Sequence, residues 1–223
     1  MTQAREEILA RVRAALEHPS RLPETPAGTS ARIAAQMAAA TPTERRGLAN
    51  QFKKEVETVS GECYILTTAD AAAEKLAELL ALAPAAKLAL DGDPLSRAAA
   101  ARLKGIHHFD AAALSPEERR KRLPSVPAAL VTADFGIADT GTLVVRFDAA
   151  RSGWSHVLPE TIYTLLPASR LLPHLQALVE RPDAGEFRNM VMITGPSRTA
   201  DIEKILILGA HGPKRLVVMI IME

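Results

Sequence analysis

Residues 62–103 read ECYILTTADAAAEKLAELLALAPAAKLALDGDPLSRAAAARL. They contain two cycles of a short β-prone run followed by an alanine-rich stretch, at 63–66 and 69–82 and then at 87–90 and 94–103. Short apolar runs that alternate with helical stretches are typical of an α/β sheet. The sequence therefore predicts two βα units and an α/β fold.

Further strand-like runs follow along the chain, at 129–133, 142–147, 161–166, 190–194 and 216–221. The first two are joined by a segment whose Asp139, Thr140 and Gly141 suit a tight reversal, which predicts an antiparallel hairpin inside the sheet. Ser169 is predicted to cap a helix that runs to about residue 180. We therefore expect a mixed sheet with a parallel majority.

The start of the chain has a different character. Residues 2–17 predict an amphipathic helix, because apolar side chains recur at a spacing of three to four: Ile8, Leu9, Val12, Ala15 and Leu16. Such a stripe is expected to be buried against a partner surface. Prolines in residues 18–28 then predict a linker or an extended arm.

Two more helical stretches precede the α/β pattern. They lie at 31–40 and 43–59, and Thr43 is a candidate cap for the second. We predict an N-terminal helical extension over residues 1–60 and an α/β domain over residues 61–223.

The charge balance argues against two kinds of partner. The chain has 27 basic and 26 acidic residues and a formal net charge of +1. This leaves no electrostatic footprint for nucleic acid or an anionic membrane, so neither is expected. The start of the chain lacks the apolar core of a signal peptide, and no stretch has the roughly 18 apolar residues of a membrane span. We expect a cytoplasmic protein.

Cysteine content excludes several kinds of site. Cys63 is the single cysteine, so the chain has no disulfide, no pair of redox thiols and no thiolate set for a cluster or a structural zinc. Any redox centre must come from elsewhere. Cys63 lies in an apolar run and is predicted to be a buried, inert thiol.

The longest motif is TGPSRTADIE at residues 194–203. A turn at Gly195 that leads into a helix would present free backbone N–H groups and a positive dipole end, which favour an anion. Ser197 and Thr199 would add hydroxyl donors, and Arg198 a forked cation suited to carboxylate or phosphate. The alternative is that Ser197 or Thr199 only caps the helix.

A second candidate turn lies at residues 136–142. Thr140, Gly141 and Thr142 could direct hydroxyl and backbone N–H groups at a ligand. Asp and Gly are also the residue types that a tight turn requires, so turn formation alone is the alternative.

The histidines give weaker indications. His211 lies in GAHGPKR, which lacks P-loop spacing, and it is a candidate general acid or base or a structural loop residue. His107 and His108 would point to opposite faces of a strand, so no metal site is predicted. His156 with Glu160 is a possible acid–base pair, the alternative being an ordinary surface loop.

Taken in chain order, these motifs resemble the LUD-domain family of lactate-utilisation protein C, formerly the YkgG-like family. The resemblance is carried by FGIADTGT at 135–142, ITGPSRTADIE at 193–203 and GAHGP at 209–213. It covers roughly the last two-thirds of the chain.

The chain departs from that family at two places. Asp139 stands where the family usually has glutamate, which shortens the reach of the carboxylate. Residues 155–163 resemble the family's Leu-Pro strand entry, but Ile162 or Tyr163 occupies the place of a histidine often found after that proline. A mechanism that depends on that histidine does not transfer to this chain.

The resemblance implies a three-layer α/β fold of the NagB/RpiA/CoA-transferase kind. It also implies a role in oxidation of L-lactate to pyruvate with two partner proteins, one or both carrying iron–sulfur clusters. We expect an accessory or substrate- and anion-binding subunit that itself binds no cofactor. The anion is expected near the 140–142 turn and residues 195–199, with His211 assisting proton transfer.

Two other functions stay open at this point. A stand-alone enzyme similar to CoA-transferases or cyclo-ligases would hold a phosphorylated cofactor at the same anion site. A covalent CoA-transferase also needs a glutamate nucleophile, for which Glu160 and Glu203 are candidates. An assembly factor would dock through the N-terminal helices.

Overall fold

A computed structural model describes residues 2–17, 41–82, 87–146, 153–181, 189–200, 206–208 and 212–223. The linker predicted at 18–28 and the helix predicted at 31–40 lie outside these residues. The described segments alternate strands with helices, and the predicted α/β class is confirmed.

The elements are numbered in chain order. The described helices are α1 (Thr2–Glu17), α2 (Pro42–Thr58), α3 (Ala69–Leu82), α4 (Pro94–Ala100), α5 (Pro116–Arg122) and α6 (Leu175–Val179). The described strands are β1 (Glu62–Leu66), β2 (Lys87–Leu90), β3 (His107–Asp110), β4 (Ala128–Thr132), β5 (Phe135–Ile137), β6 (Thr142–Arg146), β7 (Thr161–Pro167), β8 (Leu171–Leu172), β9 (Met190–Ile193), β10 (Arg198–Ala200), β11 (Leu206–Leu208) and β12 (Arg215–Ile221).

The main sheet has six described strands in the order β1-β12-β7-β4-β2-β3. Every pairing between neighbours in it is parallel. β4 is buried at all of its residues and β12 at all but its first. Layers cover both faces of the sheet, which explains why these strands are continuous apolar runs rather than alternating ones.

A smaller second sheet has the order β8-β5-β6-β9. Its β5–β6 and β6–β9 pairings are antiparallel and its β5–β8 pairing is parallel. The predicted hairpin is therefore real, but its place inside the main sheet was wrong. β4 pairs with parallel neighbours on both sides, so the chain must leave the main sheet before it can reverse. The hairpin forms from β5 and β6 instead.

The helix predicted to start at Ser197 is absent from the described part of the motif. Residues 198–200 form β10, which pairs antiparallel with β11 and places Thr199 opposite Ile207. β-Branched residues favour such pairs, and a strand partner outweighs a local cap signal. The expectation of a helix start here was wrong.

The helix predicted from Ser169 is also shorter than expected. α6 begins after His174, whose Nδ1 accepts the backbone N–H of Ala177 at 3.2 Å. The two residues before Pro173 form β8 beside β5. Proline favours an extended conformation in the residue before it, which keeps the helix from starting earlier.

The N-cap of helix α2 lies two residues before the predicted cap, Thr43. Thr41 is the N-cap, and its side chain and that of Glu44 form a reciprocal capping box. Pro42 occupies the first turn, where its missing N–H costs nothing.

The core has one layer on each face of the main sheet. On one face, α2 and the second sheet pack through side chains such as Phe52, Val131 and Leu143. On the other, α3 and α4 pack through Leu76, Leu88 and others. This is the predicted three-layer arrangement.

The contacts of the first two helices differ. Ala49, Phe52 and Val56 of α2 are fully buried in the main core, so α2 packs within the α/β unit. In α1, Ile8 is 62% and Leu9 39% exposed, so the expected burial of the stripe is not found at these two side chains. The predicted boundary between residues 60 and 61 stays a prediction.

Candidate functional site

Three threonines join the two predicted turns through their hydroxyl groups. Thr142 Oγ1 lies 2.8 Å from Thr140 Oγ1 and 2.8 Å from Thr194 Oγ1. The β6–β9 pairing sets Leu143 opposite Ile193 and thereby brings the turns together. We call Thr140, Gly141, Thr142, Thr194 and Gly195 the threonine turn. The structure therefore places four of the eight predicted site residues side by side, Thr140, Gly141, Thr142 and Gly195, and their role in ligand binding stays a prediction.

Both glycines of the threonine turn face the end of α2. Gly141 has a φ of +63°, and a Cβ there would lie 2.6 Å from the backbone nitrogen of Val56. Gly195 has a φ of +83°, and a Cβ there would lie 2.8 Å from Cγ2 of Val59. Close packing and left-handed backbone thus account for both glycines without a ligand.

The structure describes less of the other predicted site residues, which lie in segments 197–203 and 209–213. The N–H of Ser197 donates to the carbonyl of Pro213 at 2.7 Å. Arg198 and Thr199 are strand residues of β10. A helix dipole therefore no longer supports an anion at this point, and the ligand contacts predicted here stay a prediction. His211 and Glu203 lie outside the described residues.

The threonine turn lies toward the amino edge of the main sheet. Pro213, whose carbonyl accepts the N–H of Ser197, lies two residues before β12. The N–H groups of Lys214 and Arg215 donate to the carbonyl of Glu160, which immediately precedes β7. Open α/β sheets bind ligands at the opposite edge, beyond the carboxyl ends of the strands.

At that carboxyl edge, Asp91 follows β2 and is completely buried. Its Oδ2 accepts the N–H of Thr132 at 2.9 Å. Its Oδ1 accepts the N–H of Asp93 at 3.1 Å and the hydroxyl of Ser96 at 2.7 Å. One carboxylate therefore joins the carboxyl ends of β2 and β4 to the first turn of α4.

Asp91 joins two neighbouring strands, β2 and β4, from which the chain continues in opposite directions across the sheet. From β2 the chain continues to β3 on one side, whereas from β4 it continues to β7 on the other. Such a switch point leaves a crevice between the two loops, and it is the usual ligand position in open α/β sheets.

Two arginines contact the segment that leaves β4. The backbone N–H and Nε of Arg146 donate to the Asp134 carboxylate at 2.7 and 3.1 Å. Nη1 of Arg170 donates to the carbonyl of Ala133 at 2.9 Å. The Asp134 side chain is 7% and that of Arg146 39% exposed, so the carboxylate is sheltered from water while the guanidinium group is partly exposed.

A third arginine, Arg181, contacts the side chain of Phe135, the residue after Asp134. The guanidinium carbon of Arg181 is 4.4 Å from the ring centre of Phe135, and that of Arg146 is 5.8 Å from it. We call Arg146, Arg170 and Arg181 the arginine cluster. All three side chains contact the three consecutive residues 133–135.

Sequence reasoning missed this carboxyl-edge group. The motifs singled out in the sequence do not include Asp91, and the three arginines come from separate segments without a shared motif. A usable signal existed for the acidic residues, because Asp91 and Asp134 follow predicted buried strands, where an α/β sheet places its polar site groups. The three arginines can be grouped only once the fold is known, because they lie far apart in the sequence.

None of the described contacts pairs His156 with Glu160, the candidate acid–base pair. His156 and Ser155 are 3% and 0% exposed, so they do not belong to an ordinary surface loop. Glu160 is exposed and pairs with Lys214 at 2.8 Å.

Cys63 is 2% exposed, and burial raises the pKa of its thiol to about 12. It is therefore protonated at neutral pH and poorly suited to act as a nucleophile or a metal ligand. The expected burial of the thiol is confirmed, and its inertness stays a prediction.

In the described ranges, no group of three or more His, Cys, Asp or Glu side chains is placed to hold a metal ion. His107 and His108 are both exposed on β3. None of the helices in the described segments has the length and apolar character to cross a membrane.

Comparison with known proteins gives a family match. A model described as the LUD domain matches residues 49–221. The uncharacterized protein YkgG of Escherichia coli (strain K12) is 40% identical over 99 residues, 41% of this chain and 42% of that protein. Lactate utilization protein C 1 of Bacillus mycoides (strain KBAB4) is 30% identical over 125 residues, 53% of each chain.

Further similarities have the same character. Lactate utilization protein C of Macrococcus caseolyticus (strain JCSC5402) is 34% identical over 88 residues, 36% of this chain and 37% of that protein. The chain thus spans about half or less of these relatives. The crystal structure of a DUF162 family protein from Deinococcus radiodurans superposes with a TM-score of 0.59 at 19% identity, over 79% of this chain and 98% of that one. This likeness shows a shared fold.

Proposed function

The chain belongs to the LUD domain family, and from this we propose that it is a component of an L-lactate utilisation system. It acts there as an accessory or anion-binding subunit beside iron–sulfur partner proteins that carry the electrons. The observation behind this proposal is the similarity to several relatives that bear the name lactate utilization protein C.

The division of labour is supported by redox chemistry. Conversion of lactate to pyruvate removes two electrons and two protons, so an electron acceptor is required. Iron–sulfur clusters are held mainly by several cysteine thiolates. This chain has one cysteine, and Cys63 is buried and protonated. The proposal therefore assigns the clusters to partners and leaves binding and orientation to this chain.

A pull-down tests the proposal. The tagged full-length chain is purified from lactate-grown cells of its source, and co-purifying proteins, iron, acid-labile sulfide and lactate-dependent dye reduction are measured. We expect cluster-bearing partners in the eluate and lactate-dependent reduction that is lost when the gene is deleted and regained when the chain is added back. Recovery of the chain alone, without iron, together with unchanged growth of the deletion strain on lactate, would overturn it.

A further inference from the structure

We infer that β9, the outer strand of the second sheet, is a dimerisation edge, at which two copies of this chain pair antiparallel about a two-fold axis through Val191. The inference goes beyond the proposed function and does not rest on it. It rests on the backbone register of β9, on the absence of charge from this strand and on the side chains that it exposes.

The backbone groups of β9 that are open to a partner belong to Met190 and Met192. On β6, the N–H of Arg146 and the carbonyl of Val144 bond to Asp134 and so point away from β9. These two residues stand opposite Met190 and Met192. Paired residues of antiparallel strands direct their backbone groups either toward each other or both outward, so those of Met190 and Met192 point away from β6. Among the described strands, none pairs with that side of β9.

The other three edges of the main and second sheets have features that natural proteins use against edge pairing. On β1, Nζ of Lys53 donates to a backbone carbonyl at 2.6 Å. β3 ends at Asp110, which forms an ion pair, and β8 is two residues long. By contrast, residues 189–194 contain no charged residue and no proline. β9 is therefore the edge of these two sheets that is best suited to pair.

The same strand exposes apolar side chains on one face of the second sheet. Met190 is 37% and Met192 49% exposed. Met192 stands opposite Val144, which is buried in a small apolar cluster with side chains of α6. α6 contacts β8, at the other end of this sheet, so within the described segments the β9 end of the face is left uncovered. Burial of the methionines of both copies would add apolar contact to the backbone pairing.

A second copy fits this edge in register. With the axis at Val191, Met190 of one copy stands opposite Met192 of the partner copy, and the backbone groups of both point into the new ladder. Each of these two pairs can exchange two hydrogen bonds, which joins two four-stranded sheets into one. Because the strand is uncharged, it meets no like charge in its own copy. The pairing uses the β9 edge of both copies, so it closes at a dimer.

Sedimentation of the full-length chain at about 1–100 µM tests for the dimer, and a monomer–dimer equilibrium without larger species is expected in this range. Met192→Lys should weaken the dimer by at least about tenfold, because lysine on an edge strand opposes pairing. Leu82→Lys is the matched control, since Leu82 is 78% exposed at the end of α3, and it should change the dissociation constant by no more than a factor of about two. Thermal unfolding checks that each variant folds.

A second substitution tests the register. Met190→Glu added to Met192→Lys should restore much of the association, because each glutamate then faces a lysine of the partner copy. Met190→Lys added to Met192→Lys should not restore it. Recovery in the first double variant and not in the second depends on residues 190 and 192 being opposite each other, which a merely unfolded or aggregated variant does not reproduce.

A covalent link gives an independent readout. In the proposed register Val191 faces its own copy in a non-hydrogen-bonded pair, where the Cα atoms lie about 4.5 Å apart, within the range of a disulfide. Cys63 is 2% exposed, so mild oxidation with copper–phenanthroline should act on the new thiol of Val191→Cys. We expect a covalent dimer on a non-reducing gel, and none for the exposed control Leu82→Cys.

The possible outcomes separate this edge from the proposed function. A chain that stays monomeric up to about 100 µM overturns the inference, as does a dimer that Met192→Lys does not weaken and Val191→Cys does not link. If the purified chain is monomeric and Met192→Lys instead removes a co-purifying protein from the pull-down, the edge belongs to that protein and self-pairing is wrong. A dimer with the expected responses supports the inference whether or not iron–sulfur proteins co-purify.

Discussion

The N–H of Thr132 donates to Oδ2 of Asp91 at 2.9 Å and joins the carboxyl ends of two neighbouring parallel strands. The bond connects residues that are 41 positions apart in the chain. Because Asp91 is completely buried, its carboxylate must be satisfied by such donors rather than by water.

Asp91→Ala is expected to destabilise the fold by about 3 kcal/mol or more, because it removes the buried carboxylate that accepts from three donors and leaves the buried N–H of Thr132 without that acceptor. The three donors are the N–H groups of Thr132 and Asp93 and the hydroxyl of Ser96. Urea unfolding measures the change in the free energy of unfolding. Asp70→Asn is the control, since Asp70 is exposed and pairs with exposed Arg102, and it should cost less than about 1 kcal/mol. Equal effects of the two substitutions would contradict the role of Asp91.

Gly141→Ala and Gly47→Ala should change stability in opposite directions. At Gly141 a Cβ would lie 2.6 Å from the nitrogen of Val56, on a backbone with a φ of +63°. At Gly47, inside α2, a Cβ meets nothing within 4 Å. We expect a loss of about 1–3 kcal/mol for Gly141→Ala and a gain of about 0.5–1 kcal/mol for Gly47→Ala, because alanine is the better helix former. Thermal unfolding midpoints compare the two variants, and a neutral Gly141→Ala would show that the threonine turn is not packed against α2.

The sequence was informative where one local pattern controls one element. The apolar runs at 63–66 and 87–90 are strands as predicted, and the stretch at 69–82 is the helix α3. It was less informative where a distant partner decides. Ser197 is a good helix cap by itself, but the pairing of β10 with β11 makes the next residues a strand. A strand's partner cannot be read from the strand alone.

The same reasoning explains the outcome for the site. The residues of the threonine turn form a recognisable motif, and the structure does bring Thr142 to Thr194. Arg146, Arg170 and Arg181 carry no motif, because each contributes one guanidinium from a separate segment. Their meeting at residues 133–135 depends on how the second sheet folds back over β4, which no local pattern contains.

Protonation of Glu62 should destabilise the fold as the pH falls. Arg215 donates from Nε and Nη2 to Glu62 at 2.6 and 2.9 Å, across the β1–β12 pair. These hydrogen bonds lower the pKa of Glu62 below its ordinary value of 4.5. The folded carboxyl therefore has a lower pKa than the unfolded one. Its contribution is complete above about pH 4.5 and is lost as the pH falls through the lowered pKa.

Urea unfolding of Glu62→Gln at neutral pH and near pH 3 measures this contribution. The wild type should be more stable than the variant at neutral pH, and the difference should shrink in acid. Glu62 is partly exposed, so solvent screening keeps the difference below about 1 kcal/mol. Glu78→Gln, on an exposed pair with Lys75, is the control and should show a smaller change. A difference that grew in acid would contradict the lowered pKa.

Cys63→Ala should leave the iron content and the lactate-dependent activity of the purified assembly unchanged, because a thiol that is 2% exposed with a pKa of about 12 cannot supply a thiolate ligand. The native chain should also resist alkylation by iodoacetamide at pH 8, whereas the urea-unfolded chain should be labelled fully at this single thiol. Loss of the sulfur from a packed core should cost about 1–2 kcal/mol of unfolding free energy, which separates a structural effect from a chemical one. Iron that disappeared from an otherwise folded and partner-bound Cys63→Ala assembly would place a cluster ligand on this chain, and the division of labour proposed for it would then be wrong.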